Sequence, residues 1–300
     1  MSLLPEIIRE PVGKSLNELG DSAAIRSVHP VGGGCINHAV RLETERNVYF
    51  LKWNAAPPPR MFKCEALGLA LLASTGAVRV PNVLALAEAE GGQPAYLLLE
   101  WLEPGNETDQ GHLGEQLARL HSGNQSLHAS SAYGLDHDNY IGLSQQVNHW
   151  ETNWPSFFAE SRIRPQVDLA RRHGHLPPER RKRLELLIER LPSLLGGVER
   201  RPALIHGDLW SGNVIPGPGG LAVIDPAVSY SDREAEIAFT ELFGGFTHRF
   251  YTAYESVWPL EPGYRDRRDL YNLYHLLNHL NLFGETYAYQ VDVILRRYVG

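Results

Sequence analysis

Between residues 204 and 213 the chain reads Leu-Ile-His-Gly-Asp-Leu-Trp-Ser-Gly-Asn. A His-x-Asp followed by four residues and Asn has a defined chemical use in phosphoryl transfer. An aspartate accepts or orients the proton of the attacking hydroxyl, and an amide oxygen downstream holds a magnesium ion. Asp208 is therefore the candidate base and Asn213 the candidate metal ligand. A turn over residues 216–220 leads into Leu221-Ala222-Val223-Ile224-Asp225, an apolar strand that ends in a carboxylate, where a second metal-binding aspartate is expected. Alone, Asp208 could cap a turn and Asp225 could merely end a strand. The ordered set of His206, Asp208, Asn213 and Asp225 between two apolar runs is what gives the phosphoryl-transfer reading its weight. Pro226 follows Asp225 where a protein-kinase activation segment carries Phe-Gly, so such a segment is excluded.

Phosphoryl transfer also needs groups that hold a triphosphate. Gly32-Gly33-Gly34-Cys35-Ile36-Asn37 lies between two strand-like runs, as a hairpin whose bare backbone can approach phosphates, although a plain surface turn reads the same way. It is neither a Walker A loop, since no Gly-Lys-Ser/Thr follows, nor a Rossmann fingerprint, since a strand and not a helix comes next. Lys52 sits on that next strand among Phe50, Leu51 and Trp53, an odd setting for a solvated charge unless the strand is an edge. As a phosphate-holding lysine it would need a helix glutamate to orient it, and Glu65 is the obvious partner.

The elements that must carry these groups fall into two kinds. Short β-prone runs at 24–28, 39–43, 48–53, 83–86 and 95–101 predict a small antiparallel sheet. One helix from about Phe62 belongs with it, with Leu67, Ala70 and Leu71 at helical spacing. After Glu103-Pro104-Gly105 the apolar period becomes helical: Leu113, Leu117 and Leu120; Leu184, Leu187, Ile188, Leu191 and Leu195; Leu270, Leu273, Leu277 and Leu280. The fold class is α+β, with a β-rich nucleotide-binding lobe over residues 1–102 and a mainly helical catalytic and substrate lobe over 103–300. Adenine is expected at the connection from Glu100 through Leu102 to Glu103, bonded to backbone groups.

Composition removes other classes. The chain has 300 residues and a net charge of −7, with no basic surplus that would grip nucleic acid or an anionic membrane. The basic residues at 171, 172 and 180–183 fall on helical patterns and read as solvated helix faces. The first residues lack a signal-peptide pattern, and no apolar stretch is long enough to span a bilayer, so a cytoplasmic protein is expected. Two cysteines, Cys35 and Cys64, match neither redox nor zinc spacing. His275 and His279 share a helix face, but no Glu follows His275 and no third ligand is evident, so they read as histidines at a substrate pocket and not as a metal site.

Several longer motifs are more specific. GGGCIN at 32–37, FLKWN around Lys52, Met61-Phe62 ahead of Glu65 and NYIG at 139–142 come first. HGDLWSGN at 206–213, DPAVSYSDREAEIAFTELFGGF at 225–246 and YNLYHLLNHLNLFG at 271–284 follow. In these, over nearly the whole chain, the sequence resembles the fructosamine kinases (ketosamine-3-kinases) within the aminoglycoside-phosphotransferase-like, protein-kinase-like group. The resemblance implies a two-lobed kinase fold, ATP and Mg2+ as cofactors, and transfer of the γ-phosphoryl group to O3 of a ketosamine, as a small molecule or as a glycated lysine on a protein. It implies nucleotide contacts from Gly32, Gly33, Gly34, Cys35, Asn37, Lys52, Glu65, Glu100 and Leu102. It also implies acceptor contacts from Asp208, Trp210 and His279; Trp210 could stack on the sugar or pack beneath its loop. Cys64 stands where many relatives are expected to carry glycine. Cys35 could be an oxidisable thiol linking two chains, or a small residue tolerated in a tight loop. A kinase for aminoglycosides, choline or homoserine would share the mechanism, and a non-catalytic pseudokinase would have lost one of the lysine, base or metal ligands, none of which is missing.

Overall fold

The computed structural model describes residues 4–32, 37–106, 109–123, 131–198 and 200–300. Gly33, Gly34 and Cys35, expected at the phosphates, lie outside the described residues. Two compact units form, one from residues 1–109 and 212–225, the other from 110–211 and 226–300.

The first unit begins with α1 (Glu6–Glu18), β1 (Ile25–Pro30), β2 (His38–Thr44), β3 (Val48–Asn54), α2 (Met61–Ser74), β4 (Val83–Ala87) and β5 (Ala95–Glu100). The five strands make one antiparallel sheet in the order β1-β2-β3-β5-β4. Alternation along β3 serves both faces of it. Tyr49, Leu51 and Trp53 pack with Val40, Leu42, Tyr96 and Leu98 against Leu4, Ile8, Val12 and Leu16, so α1 covers one face. Phe50 joins Leu97 and Leu99 against Phe62, Ala66 and Leu69 of α2 on the other. Lys52 shares the parity of Phe50 and so belongs to the α2 face.

Two expectations change here. One helix was expected beside the sheet and there are two; Pro11 inside α1 removes a backbone donor and masks an otherwise regular 8-12-16 stripe. In α2 the buried stripe is Phe62, Ala66, Leu69 and Leu72, whereas Leu67 is 41% exposed, so the run Leu67-Ala70-Leu71 is the outer side. A helix this apolar offers two stripes of the right period, and only the packing distinguishes them.

The second unit starts with α3 (Gln110–Ser122) and a short hairpin, β6 (Asn139–Ile141) with β7 (Ser144–Gln146). Then come α4 (Trp154–Phe157), a π-helical turn over Phe158–Ile163, α5 (Arg164–Arg172), α6 (Pro178–Leu195) and β8 (Ala203–Ile205). The chain returns to the first unit for the hairpin β9 (Val214–Gly217) and β10 (Gly220–Val223). It finishes in the second with β11 (Ser229–Ser231), α7 (Arg233–Leu242), α8 (His248–Val257), α9 (Tyr264–Phe283) and α10 (Ala288–Val299). The leucines anticipated for α3, α6 and α9 are all buried. Arg180 is not solvated as expected: its side chain is 5% exposed and fixed by Asp292 at 2.8 Å and Glu285 at 3.4 Å. Arg181 and Arg183 instead make intrahelical pairs with Glu185 and Glu179. Among the described residues no helix is long and apolar enough to cross a membrane.

Candidate active site

In the first unit, β3 is an inner strand, paired with β2 through Ala39 and with β5 through Leu97 at the level of Lys52. The edge-strand reading of that lysine therefore fails. Lys52 is buried, and its Nζ donates to Glu65 Oε1 at 2.8 Å and to Asp225 Oδ1. Burial alone would discharge the amine, but the charges of Asp225 and Glu65 outweigh it and hold its pKa above the usual lysine value. The Glu65 pKa is raised as well: burial lifts it, Lys52 opposes this, and the neighbouring Asp225 charge adds to the rise.

Asp225 and Asn213 are brought together by the β9–β10 hairpin. Val214 pairs with Val223, and Ile224 N donates to Asn213 O at 3.1 Å, so both residues stand at the open end of the same ribbon. Asn213 ends a 3-10 turn, Ser211–Asn213. Asp225 has φ +58, a left-handed conformation that costs a non-glycine residue energy and that the following proline disfavours further. The hairpin also carries the connection after β5, where Gly105 N donates to Pro216 O at 2.9 Å. At the end of β5 the Glu100 carboxylate is tied to Asn82 N at 3.1 Å and Nδ2 at 2.8 Å, while Leu102 is buried. That leaves backbone groups as the means by which this segment would meet a base. Asn37 is held by Asn54, whose Nδ2 donates to its Oδ1 at 3.0 Å, while Gly32 immediately precedes the part of the loop that is not described.

A carboxylate beside an amide oxygen suits Mg2+, which takes few protein ligands and completes its shell with phosphate oxygens and water. No group of three or more His, Cys, Asp or Glu side chains that could hold a metal occurs among the described residues.

In the second unit, β8 leads into His206-Gly207-Asp208. This turn is fixed from below by a residue the sequence reading passed over. The Glu236 carboxylate accepts from His206 N at 3.0 Å and from Gly207 N at 2.7 Å, and bonds His121 Nε2 at 2.8 Å. His121 Nδ1 in turn meets the Tyr254 hydroxyl at 2.9 Å. Burial alone would raise the Glu236 pKa, but the His121 bond and charge and the bond from Gly207 N together lower it. Gly207 has φ +83, and a Cβ there would lie 2.0 Å from Ala227 O, so the turn accepts no side chain. The strand opposite is braced as well: Asn139 Nδ2 donates to Val228 O at 2.8 Å and Gln146 Nε2 to Ala227 O at 3.0 Å. Arg162 Nη2 reaches Asn148 Oδ1 and Ser229 Oγ, both at 3.0 Å. Within the NYIG motif, Asn139 thus serves as a brace.

Asp208 itself is half-buried, and Trp210, two residues on, is 37% exposed. Gly245 (φ +95) comes so close that a Cβ would lie 2.4 Å from the Ser211 side chain, which seats the 243–246 loop on the catalytic turn. His279 is ringed by Phe243 at 5.0 Å, Tyr287 at 4.9 Å and Phe283 at 5.6 Å. Burial lowers its pKa, and its Nδ1 donates to His275 O at 2.8 Å, so the neutral ring presents Nε2 as an acceptor. His275 is buried and stacked on Phe239 at 3.5 Å.

Residues 10–300 match the model of the fructosamine kinase family. The chain belongs to that family. Its relatives include a probable ketoamine kinase of Synechocystis sp., 42% identical over 93% of this chain and 92% of the relative. The chloroplastic protein-ribulosamine 3-kinase of Arabidopsis thaliana is 36% identical over 97% of this chain and 88% of its own. A crystal structure of a candidate fructosamine-3-kinase from Haemophilus somnus superposes with a TM-score of 0.87 at 30% identity, covering 96% of this chain and 97% of that one. Aminoglycoside phosphotransferase APH(4)-Ia (TM-score 0.62, 17% identity, 98% and 99% covered) and choline kinase LicA of Streptococcus pneumoniae (0.61, 18%, 97% and 99%) share the fold. The α+β kinase-like fold and an ATP-dependent phosphotransferase activity follow from this membership.

Proposed function

We propose that the chain transfers the γ-phosphoryl group of ATP to O3 of a ketosamine, and that the residues above take the roles their chemistry suits. The observation that carries this is the Lys52–Glu65–Asp225 cluster with Asn213 at the same hairpin mouth. A buried cation is held there by two carboxylates, one of which, Asp225, follows the hairpin strand whose partner strand begins just after Asn213. Lys52, oriented by Glu65, binds the α- and β-phosphates. Asn213 and Asp225 would hold Mg2+, which would supply positive charge against the phosphates. Asp208 accepts the hydrogen bond of the attacking hydroxyl and aligns it, as Glu236 keeps the turn in place. Catalysis is then mainly positioning and charge stabilisation. Trp210 offers an exposed face to the sugar, and His279 Nε2 an acceptor for one of its hydroxyls.

The same proposal assigns nucleotide binding to residues 1–102, with the loop 32–37 over the phosphates and backbone groups of 100–103 to adenine. It assigns acceptor binding to residues 103–300, although the 212–225 hairpin folds with the first unit. Glycated lysines on proteins are acceptors under this reading, and a cytoplasmic location suits it. A disulfide-linked dimer through Cys35 is a separate proposal; chain mass under oxidising and reducing conditions tests it, and an unchanged monomer discards it.

The test of function is ADP release with Mg-ATP across fructoselysine, ribuloselysine, an aminoglycoside, choline and homoserine, with Asp208→Asn as control. Turnover confined to the ketosamines and lost in the variant is the expected result. Turnover with another acceptor alone would keep the kinase and discard the substrate, and no turnover at all would favour a non-catalytic protein.

A further inference from the structure

The β8–β11 ribbon has two ends. Ile205 pairs with Ser229 at the end that runs into the catalytic turn, and Ala203 pairs with Ser231 at the other. Past that other end, within the second unit, lies a cavity of about 230 Å³ walled by Arg200, Arg201, Arg233, Trp258, Glu261 and the first turn of α7. Nothing in the phosphotransfer reading uses it.

Most charges in its wall are already matched. Asp232 accepts from Arg200 Nε, from the Tyr271 hydroxyl at 3.0 Å and from Glu234 N at 2.9 Å. Glu234 is gripped by Arg267 at 2.8 and 2.9 Å. Arg233 donates to the Tyr254 hydroxyl, Trp258 O and Pro259 O, with the Glu261 carboxylate 3.9 Å away.

In two guanidinium groups that matching is incomplete. The Arg200 side chain is 7% exposed, yet its buried Nη2 has no hydrogen-bond partner. The Tyr271 hydroxyl lies close enough to interact with this guanidinium, but its own proton goes to Asp232, so it brings no negative charge to Nη2. Arg201 is exposed, lies 4.3 Å from the Trp258 ring centroid on which Arg233 also stacks at 3.9 Å, and pairs with no carboxylate among the described residues. A buried donor without an acceptor is costly, and a second cation beside it calls for an anionic acceptor and not a neutral one. Counting Arg267, four positive groups face Asp232, Glu234 and Glu261, so one positive charge remains.

We propose that this cavity binds a small oxyanion, inorganic phosphate or the phosphate of a small phosphorylated metabolite, between Arg200 Nη2 and the Arg201 guanidinium. The site is distinct from the catalytic turn, since it opens at the opposite end of the same two-stranded ribbon. It is also linked to that turn through α7, whose first residues form its wall and whose Glu236 holds the His206 and Gly207 amides.

The experiment is calorimetric titration of the full chain with inorganic phosphate and with ribose 5-phosphate, the nucleotide site being kept filled by Mg-AMP-PNP. One site is expected, with Arg201→Ala weakening it on the order of tenfold. Glu261→Gln should strengthen it several-fold by removing the one loosely held negative charge in the wall. Both side chains are at least partly exposed, so neither variant threatens folding, and their opposite signs exclude a general loss of structure. Tighter binding of the sugar phosphate identifies a phosphorylated metabolite as the ligand, and equal binding identifies phosphate itself. Absence of heat from either ligand, or binding that both substitutions leave unchanged, overturns the site.

Discussion

The two units stabilise their candidate site residues in opposite ways. In the first unit the functional charges are one another's partners: Lys52 is buried and both carboxylates it meets, Glu65 and Asp225, have assigned roles of their own. In the second, support is delegated. Asp208 stays half-buried at the surface of its turn, and the work of holding that turn falls to Glu236, fully buried behind it. A functional group that is also a structural partner cannot be removed without leaving a buried charge uncompensated. Where the backbone of the turn is held by a separate residue, the group it carries can be changed with the turn still in place. Activity and stability should therefore separate at Asp208 and fall together at Lys52.

The largest effect is expected at Asp208. Asp208→Asn keeps the size and the backbone bonds of the turn but abolishes the acceptor of the hydroxyl proton, so kcat should fall roughly 10²–10⁴-fold. The melting temperature should stay within a degree or two. A large loss of stability in this variant would show that the turn is not independently held, and would break the contrast.

Lys52→Met should lose roughly 10²–10³-fold in kcat/KM for ATP, the scale for removing one preorganised electrostatic contact. Unlike the Asp208 change, it should also lower stability, since Glu65 and Asp225 then face each other without a cation. The folded pKa of Lys52 lies above its ordinary value, so its contribution is complete below about 10.4 and is lost only as pH rises through the folded value. The deficit should therefore be constant across neutral pH. Denaturant unfolding at several pH values checks this.

At Glu236 the order reverses, with stability affected first. Glu236→Gln places an amide donor among two backbone N–H groups and a histidine, and should cost about 1.5–3 kcal/mol, or several degrees of melting temperature. Activity should fall because the Asp208 turn loosens, with kcat more affected than KM for ATP. The wild-type pKa is depressed, so this contribution is full above the ordinary glutamate range and vanishes as pH drops through the folded value. Full activity with full stability in Glu236→Gln would remove it from the support of the turn.

These same residues mark what a sequence can disclose. The candidates Asp208, Asn213, Asp225 and Lys52 could be picked out because phosphoryl transfer restricts both residue type and order, and little else produces that order by chance. Glu236 could not, since it is one of three acids within DREAE, all of them buried, and nothing local distinguishes the one that meets the His206 turn. Its only signal is helical phase: it falls one residue before Ile237 and three before Phe239, on the buried side of α7. Arg180 went astray for the same reason, because its partners, Asp292 and Glu285, lie more than a hundred residues away. Helix α1 was concealed by a proline that tertiary packing tolerates, as Leu4, Ile8, Val12 and Leu16 are buried on the sheet. Chemistry leaves a local record in the sequence, and long-range partnership leaves almost none.

The smallest effect expected extends the contrast to the scaffold of the first unit. Asp21 is buried and accepts from Ala23 N at 3.2 Å, Thr44 Oγ1 at 2.7 Å, Asn47 Nδ2 at 2.9 Å and the Tyr49 hydroxyl at 2.8 Å. It thereby clamps the turn between β2 and β3, the strand that carries Lys52. Burial opposes its charge, but the bonds from Asn47, Thr44 and Tyr49 prevail and bring its pKa down to about 2. Asp21→Asn should cost about 1.5–3 kcal/mol at neutral pH, with kcat within about twofold of wild type, because the clamp lies at the far end of β3 from Lys52. A lowered pKa stabilises above the unfolded value and is lost as pH falls towards the folded one. The wild type should thus converge on the variant between about pH 4 and pH 2, the interval between the ordinary aspartate value and the folded one. Urea unfolding of both proteins over that interval measures the convergence. Parallel curves would mean that Asp21 acts by shape and not by charge, and that delegated support is peculiar to the catalytic turn.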